Sequence, residues 1–170
     1  SDLDEARVGT GATDSMQGGQ GNDWITAGDK ADTLLGGEGH DSLFGEQGND
    51  LLDGGSGNDF LAGGDGSDSY VFGTGSGRDT VDASDSWYDQ VGAAPVDTVK
   101  IGAGILPADV KLARVGDDLV LSLAGGTDSL TVQGYYSESA DYYGYSRIQL
   151  QFANGTLWDQ ASLRTMTESL

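Results

Sequence analysis

The chain has 170 residues and a formal net charge of −20 at pH 7, from 28 acidic residues, most of them aspartate, against 8 lysines and arginines. Such a charge excludes nucleic acid and anionic membrane surfaces as partners, because both are bound through positive charge, and it favours cations. The absence of cysteine excludes disulfides and thiolate metal sites. No apolar run is long enough to cross a membrane, so we expect no membrane insertion by this segment.

A nonapeptide repeat fills the first half of the chain. From Gly9 the sequence reads GTGATDSMQ, GGQGNDWIT, AGDKADTLL, GGEGHDSLF, GEQGNDLLD, GGSGNDFLA and GGDGSDSYV, and an offset copy, TGSGRDTVD, follows after two inserted residues. The sixth place is always aspartate and the eighth is always apolar. Such regular self-similarity indicates stacked structural units rather than a flexible linker.

The places of the nonapeptide have different structural roles. Glycines at places one, two and four allow positive φ and close backbone approach, so places one to six predict a tight turn rich in carbonyl groups. The last three places predict a very short strand whose middle residue points inward. Two nonapeptides close one coil, and stacked coils form parallel sheets in which aspartates eighteen residues apart lie above one another.

Stacked carboxylates require a cation between them. Neighbouring strands lie about 4.8 Å apart, so bare carboxylates at this separation repel each other. Calcium accepts about six to eight oxygen ligands from carboxylates and carbonyls, whereas magnesium requires a stricter octahedron and zinc prefers histidine or cysteine. The chain has one histidine and no cysteine, so the pattern predicts calcium.

The phrase GGxGxDxUx, with U aliphatic, resembles the repeats-in-toxin (RTX) nonapeptide of hemolysin-type calcium-binding proteins. The likeness covers about residues 9 to 82. Later residues are similar to the segment that caps such repeats, through DDLVLSLAGGTDSLTVQGYY and RIQLQFANGTLWD. The resemblance implies an all-β fold: a calcium-loaded parallel β-roll over residues 1–82 and a C-terminal capping β region over residues 83–170.

The resemblance also implies ligand groups for about four to six calcium ions. One turn supplies the carbonyls of places two and four with its aspartate, and the turn eighteen residues on supplies those of places one and three with its aspartate. On one edge the groups are Gly19, Gly21 and Asp23 with Gly36, Glu38 and Asp41, then Gly37, Gly39 and Asp41 with Gly54, Ser56 and Asp59. On the other edge they are Gly28, Lys30 and Asp32 with Gly45, Gln47 and Asp50, then Glu46, Gly48 and Asp50 with Gly63, Asp65 and Asp68. Gly55, Gly57 and Asp59 are expected to join Asp79 in a further site of altered geometry.

Two turns depart from the repeat. Ala27 and Lys30 replace glycines in AGDKAD, where we expect a Cβ at positive φ to cost about 1 kcal/mol and the lysine to repel a cation. Thr10 and Ala12 replace glycines in the first turn. Asp14 is therefore predicted to be a poor ligand.

The second half predicts half-buried antiparallel strands. DTVKI, DVKLARV, DLVLSLA, SLTVQGYY and RIQLQFA alternate apolar and polar residues, and VGDDL, AGGTD and ANGTL supply hairpin turns. DQASLRTM predicts a short helix with Asp159 as its N-cap. We expect this segment to cover the last coil, whose strand edges are otherwise open.

Other features offer alternatives to a calcium module. Aromatic side chains in SWYDQ and GYYSESADYYGYS suggest a surface for sugar rings, although packing within the cap explains them more simply; they are Trp87, Tyr88, Tyr135, Tyr136, Tyr142, Tyr143 and Tyr145. Asp117 and Asp118 fit a turn rather than an acid–base pair, and His40 fits a solvated turn. Without a nucleophile elbow, phosphate loop or zinc triad, we expect no enzymatic activity.

The leading hypothesis is a monomeric calcium-binding module of a larger secreted bacterial protein, located outside the cell or on its surface, that folds on binding calcium. The N-terminal residues SDLDEARVGT lack the features of a signal peptide. If Leu170 is the natural C-terminus, the last residues resemble the uncleaved signal of type I secretion, which the module would assist. The alternative is a module that binds an extracellular polysaccharide or a cell surface.

Overall fold

A computed structural model of the chain describes residues 3–84, 95–137 and 147–168. The repeat half contains β1 (Ala6–Val8), β2 (Ser15–Gln20), β3 (Trp24–Asp29), β4 (Thr33–Glu38), β5 (Ser42–Gln47), β6 (Leu51–Ser56), β7 (Phe60–Asp65), β8 (Ser69–Phe72) and β9 (Arg78–Asp82). The C-terminal part contains β10 (Asp97–Ile101), a 3-10 turn (Pro107–Asp109), β11 (Val110–Val115), β12 (Asp118–Leu123), β13 (Ser129–Val132), β14 (Ile148–Phe152), β15 (Leu157–Trp158) and α1 (Gln160–Glu168). No helix in these ranges is both long and apolar enough to cross a membrane.

Successive nonapeptides contribute strands to opposite sheets. One sheet has the order β15-β14-β10-β8-β6-β4-β2, and the other has β1-β3-β5-β7-β9-β13-β12-β11. Within the regular repeats, neighbouring strands are parallel and in eighteen-residue register, as in Leu34 with Leu52 and Leu43 with Leu61. The predicted all-β fold with a parallel β-roll is confirmed.

The interior of the roll is a narrow row of eighth-place side chains. Six of them have no exposed surface: Ile25, Leu34, Leu43, Leu52, Leu61 and Tyr70. Each buried aliphatic side chain stabilises the fold by about 1.5–3 kcal/mol. With one such residue per nonapeptide, the apolar core of each coil is small, and the glycine-rich turns need another source of stability.

The strands are longer than the sequence analysis predicted. Each regular strand has six residues, because the ladder continues through places one to three of the next nonapeptide. Between β2 and β4 the register runs from Gln17 with Leu35 directly to Gly19 with Gly37, so the pairing omits the first-place glycine. The prediction of three-residue strands was wrong because the residues at places two and three remain extended enough to pair with the next coil.

The C-terminal part continues both sheets before it turns back on itself. β10 pairs in parallel with β8 and β14, and β13 pairs in parallel with β9. The predicted antiparallel pairing is confirmed for β11–β12–β13 and β14–β15. It was wrong for β10, because the open edges of the last coil accept strands in the direction that the roll already has.

The C-terminal helix and turns follow the sequence predictions. Asp159 caps α1, since the backbone N–H and the hydroxyl of Ser162 both donate to its Oδ1, at 2.9 and 2.6 Å. Asp117 is exposed in the turn between β11 and β12. Tyr135 is buried and Tyr136 bonds Thr167 through its hydroxyl, which agrees with packing inside the cap. The other candidate aromatic residues, Trp87, Tyr88, Tyr142, Tyr143 and Tyr145, lie outside the described residues.

Candidate calcium sites

The sixth-place aspartates form two ladders, one along each edge of the roll. In each, a backbone N–H donates to Oδ1 of the aspartate in the next coil: Asp23 to Asp41 at 2.8 Å, Asp41 to Asp59 at 2.9 Å and Asp59 to Asp79 at 3.1 Å on one edge, and Asp14 to Asp32 at 2.6 Å, Asp32 to Asp50 at 2.8 Å and Asp50 to Asp68 at 2.8 Å on the other. From Asp23 onward these side chains are buried. The ladder therefore fixes one oxygen of each carboxylate and leaves the other to face the turn.

The second carboxylate oxygen is the main sign of a ligand site. Oδ2 is buried and accepts no hydrogen bond from any described residue in Asp23, Asp32, Asp41, Asp50 and Asp59. A buried anionic oxygen without a partner is strongly destabilising unless a positive charge lies beside it. These five oxygens therefore indicate positions for cations.

The first-place glycines leave space in front of these oxygens. A Cβ built on Gly36 would overlap both Oδ2 of Asp41 and the carbonyl oxygen of Gly54 in the next coil. The same holds for Gly18 with Asp23 and Gly36, and for Gly45 with Asp50 and Gly63. A carboxylate oxygen and a carbonyl oxygen from adjacent turns thus converge on one small space, which suits a hard cation that binds oxygen ligands.

Carbonyls of places two and four point at the next coil. Gly19 and Gly21 have φ of 118° and 108°, values open mainly to glycine. Their carbonyl oxygens lie against Gly37 and Gly39, where a Cβ would overlap them. The structure therefore brings together the turns from which the predicted ligand groups come.

The place-three carbonyls already take part in hydrogen bonds between turns. Glu38 accepts the N–H of Gly21, Ser56 that of Gly39 and Asp65 that of Gly48, each at 2.9 Å. A carbonyl oxygen has two lone pairs, so one remains for a cation. These bonds also hold adjacent turns at the separation at which their oxygens face each other.

The side chains alone do not form a metal cage. No group of three or more His, Cys, Asp or Glu side chains that could hold a metal ion occurs in the described ranges. Each candidate site instead combines two carboxylates, one from each coil, with backbone carbonyls. This donor set fits calcium better than zinc, which prefers nitrogen and sulfur ligands.

Burial and stacking raise the pKa values of four ladder carboxylates. Burial raises the pKa of Asp50 and Asp59 to about 6 and that of Asp79 to about 7. The backbone hydrogen bond of each opposes the rise, and the charge of the aspartate one coil away adds to it. Burial, and to a smaller extent the charge of Asp23, also raise the pKa of Asp41. A cation between the carboxylates would favour their charged form.

The irregular turn AGDKAD differs from its prediction in one respect. Among the described residues other than glycine, only Lys30 and Glu46 have positive φ, 78° and 76°. The expected backbone strain at Ala27 was therefore wrong, because the first place requires glycine for space and not for φ. Lys30 has the expected strain, and Glu46 shares it although the sequence analysis did not single it out.

In the first turn, protein groups occupy the oxygen that the regular turns leave open. Oδ2 of Asp14 accepts the backbone N–H of Thr10 at 2.6 Å and its hydroxyl at 2.9 Å. Thr10, one of the residues that breaks the glycine pattern, thus supplies donors where a cation would otherwise lie. The structure gives a physical reason for expecting Asp14 to be a poor ligand.

Sequence reasoning missed Asp97, which extends one ladder beyond the repeats. Asp97 is buried, and its Oδ1 accepts the N–H of Asp68 at 2.8 Å as in the regular coils. A signal was present, because the triplet DTV at residues 97–99 repeats DTV at residues 79–81. Without the surrounding glycines it read as an ordinary strand.

The fifth place, which looked variable, forms a ladder of its own. The N–H of His40 donates to Oδ1 of Asn22 at 2.7 Å, and the N–H of Asn58 donates to Nδ1 of His40 at 2.9 Å. His40 is exposed in a turn, as predicted, and in addition acts as an acceptor between coils. The recurring GND in the sequence was the available signal.

The fold and the aspartate ladders define a calcium-binding parallel β-roll. The model of the RTX calcium-binding nonapeptide repeat matches residues 8–43, 35–70 and 44–81. The model of the haemolysin-type calcium binding protein related domain matches residues 118–162. Residues 8–81 are therefore RTX calcium-binding nonapeptide repeats, followed by a haemolysin-type related domain in the C-terminal region, as the resemblance implied.

Among solved structures, the chain is similar to the solution structure of the AlgE6R3 subunit from the Azotobacter vinelandii mannuronan C5-epimerase, with 22% sequence identity and a TM-score of 0.46 over 86% of this chain and 78% of that chain. The comparison with curated proteins gave no match.

Proposed function

We propose that this chain is a calcium-dependent folding module of a larger secreted protein, without catalytic activity of its own. The observation that carries the proposal is the row of buried Oδ2 atoms, in Asp23, Asp32, Asp41, Asp50 and Asp59, that no described residue satisfies. Calcium, when bound, would neutralise these carboxylates. Without it, the charge of −20 and the small apolar core favour the unfolded chain.

Binding and folding form one event in this proposal. The ligand groups come from turns eighteen residues apart, so they are not assembled in the unfolded chain. RTX repeats are typical of secreted proteins. A chain that stays unfolded in calcium-poor cytosol and folds outside suits export through a type I secretion channel, and we propose that role here.

Circular dichroism in chelator and in calcium tests the folding proposal. We expect little β signal in chelator and a cooperative gain between about 0.1 and 1 mM calcium, a range typical of extracellular modules. Magnesium at the same concentrations should not replace calcium, because its small octahedral shell does not span two turns. A fully folded roll in excess chelator would contradict the proposal.

We propose about four to six ions, each between adjacent coils of one edge. The intervals with the regular oxygen arrangement are Asp23–Asp41, Asp41–Asp59 and Asp50–Asp68. Asp32–Asp50, where Ala27 replaces the first-place glycine, is the irregular interval of the second edge. Calorimetric titration measures the number directly. A stoichiometry of one or two ions would contradict this assignment.

A second candidate function, binding of a neutral extracellular polysaccharide, is favoured by an aromatic row on the outer face of the sheet. The rings of Trp24 and Phe44 lie 4.6 Å apart, and those of Phe44 and Phe60 lie 5.8 Å apart. Trp24 is 53% exposed. The cross-strand neighbours Thr26 and Ser42 are uncharged, so a neutral sugar chain meets no repulsion there, whereas a polyanion is repelled by the protein as a whole.

Affinity electrophoresis in gels that contain neutral or anionic polysaccharides tests this second function. Trp24→Ala should abolish retardation, while Leu157→Ala, which removes an exposed apolar side chain of the C-terminal part, should leave it unchanged. Equal retardation of both variants would exclude the aromatic row as the binding surface.

A further inference from the structure

Hydrogen bonds between adjacent turns set the geometry of the candidate sites. At place four, the N–H of Gly39 donates to the carbonyl of Ser56 at 2.9 Å, and the N–H of Gly57 donates to that of Ser76 at 3.0 Å. Each turn is thus held by the turn one coil further along the chain. The last turn on this edge, residues 73–79, has no such successor within the repeats.

Asp128 takes the place of the missing turn. It lies in the loop between β12 and β13, and its Oδ1 accepts the N–H of Gly77 at 3.0 Å while its Oδ2 accepts the N–H of Gly75 at 3.0 Å. The next residue, Ser129, donates its N–H to the carbonyl of Gly77 at 2.8 Å. One carboxylate therefore satisfies both glycine N–H groups that the end of the repeats leaves open.

The turn that Asp128 holds faces the last predicted calcium site. Gly77 has a φ of 93° and lies so close to the carbonyl of Gly57 that a Cβ would overlap it. Gly57 belongs to the predicted ligand group of Asp59 and Asp79. The position of Gly77 therefore fixes the separation of the two turns across that site.

We propose that Asp128 is a positioning residue for the Asp59–Asp79 site, so that the C-terminal part completes the last calcium site of the repeats. The inference rests on the proposed function. Calcium binding at this site and docking of the β12–β13 loop are then coupled, and each strengthens the other by the same factor. In the part of the chain that the structure describes, Asp128 accepts no hydrogen bond from the turns of the other sites, so those sites do not depend on it directly.

Calorimetric calcium titration of the full chain tests the proposal with three variants. Asp128→Ala removes both acceptors, Asp128→Asn keeps one acceptor oxygen, and Asp117→Ala removes the same charge from an exposed turn. We expect Asp128→Ala to weaken the last ion by about tenfold or more, Asp128→Asn to be intermediate and Asp117→Ala to match the unmodified chain. Amide hydrogen exchange at Gly75 and Gly77 should accelerate in proportion.

The methyl NMR signals of Leu119 and Leu130 report whether β12 and β13 remain folded in each variant. If Asp128→Ala unfolds these strands, Asp128→Asn decides the test. Calcium affinities for Asp128→Asn and Asp128→Ala equal to those of Asp117→Ala would overturn the proposal. Asp41→Asn is the separate control for the proposed function: if it leaves calcium binding unchanged, the ladder itself is not the binding site.

Discussion

The two ends of the roll terminate the aspartate ladders by different means. At the N-terminal end, Thr10 donates to the carboxylate of Asp14 from within the same turn. At the C-terminal end, the sheets continue past the ladders, and apolar side chains take the next position in register: Leu130 beside Asp79 and Ile148 beside Asp97. Among the residues that the structure describes, several successive carboxylates keep a buried oxygen without a protein donor only between these ends. We therefore expect calcium to be needed most in the middle.

The N-terminal end contains a further half coil that has no glycine signature. The N–H of Glu5 donates to Oδ1 of Asp23 at 2.8 Å, as a ladder aspartate would, and Arg7 is in register with Ile25. Arg7 also donates from Nε to the Glu5 carboxylate at 2.9 Å. The guanidinium of Arg7 thus supplies a positive charge beside Glu5 at the N-terminal end of this ladder.

Removing the C-terminal end of the chain should have the largest effect on calcium-dependent folding. A chain that ends at Asp82 exposes the edges of β8 and β9 together with Tyr70, Phe72 and Val81, which have no exposed surface in the full chain. Covering apolar surface contributes about 25 cal/mol per Å². We expect this fragment to stay unfolded, or to aggregate through its open edges, at calcium concentrations that fold the whole chain. Circular dichroism and light scattering measure both outcomes, and a fragment with the calcium midpoint of the whole chain would show that the C-terminal end is dispensable.

Replacing one aspartate in the middle of the roll and one at its N-terminal end should show that the two regions differ in calcium binding. Asp41→Ala removes a carboxylate that lies between two intervals of its ladder, so we expect it to remove about two ions. Asp14→Ala removes a carboxylate that Thr10 already satisfies, so its calcium midpoint should change little. Calorimetry provides both values, and equal losses for the two variants would contradict the difference between middle and end.

Two residues with strained backbones can distinguish the effect of strain from the effect of charge on calcium binding by the middle turns. Lys30 and Glu46 have φ of 78° and 76°, so Lys30→Gly and Glu46→Gly should each relieve about 1 kcal/mol of backbone strain. Lys30→Gly also removes a positive charge near a candidate site, whereas Glu46→Gly removes a negative one. We expect the calcium midpoint to fall clearly for Lys30→Gly and to fall less, or rise, for Glu46→Gly. Identical shifts would mean that only strain is involved.

The smallest expected effect is that of pH on the metal-free chain. Folding raises the pKa of Asp50 and Asp59 from 3.8 to about 6 and that of Asp79 to about 7, so the folded state holds protons that the unfolded chain releases. This contribution is present at acid pH and is lost as the pH rises through these values. In chelator we therefore expect more β signal at about pH 5 than at about pH 8, and in calcium a weaker affinity at the lower pH. A β signal in chelator that falls on acidification would contradict the raised pKa values.

Sequence alone predicted the parts of the molecule that follow the nonapeptide. The fixed spacing of aspartate and apolar residues predicts parallel stacking in eighteen-residue register, because only this register places each aspartate above an aspartate and each apolar residue above an apolar residue. The spacing does not predict that Asp97 extends a ladder or that Glu5 lies in a further half coil. Both keep the register of the repeats but lack the glycines by which a repeat is recognised in the sequence. Alternation in residues 97–101 predicts a strand but not its partner, so the parallel pairing of β10 required the structure.

The role of Asp128 was beyond sequence reasoning for a different reason. Its partners, Gly75 and Gly77, lie about fifty residues earlier in the chain. The sequence AGGTD predicts a turn, and nothing in it indicates that its aspartate contacts residues so far away in the chain. The strained φ of Glu46 was likewise invisible, because the second place of a repeat tolerates another residue where the surrounding turns fix its conformation.

A crystal structure of the full chain grown in calcium, with anomalous diffraction to locate the ions, tests the central claim most directly. We predict anomalous peaks beside Oδ2 of Asp23, Asp41 and Asp50, between adjacent coils, and no peak beside Asp14. Ladders without peaks, with protein donors bonded to those oxygens, would contradict the account. A peak at Asp14 with Thr10 displaced would contradict the distinction between the middle and the end of the roll.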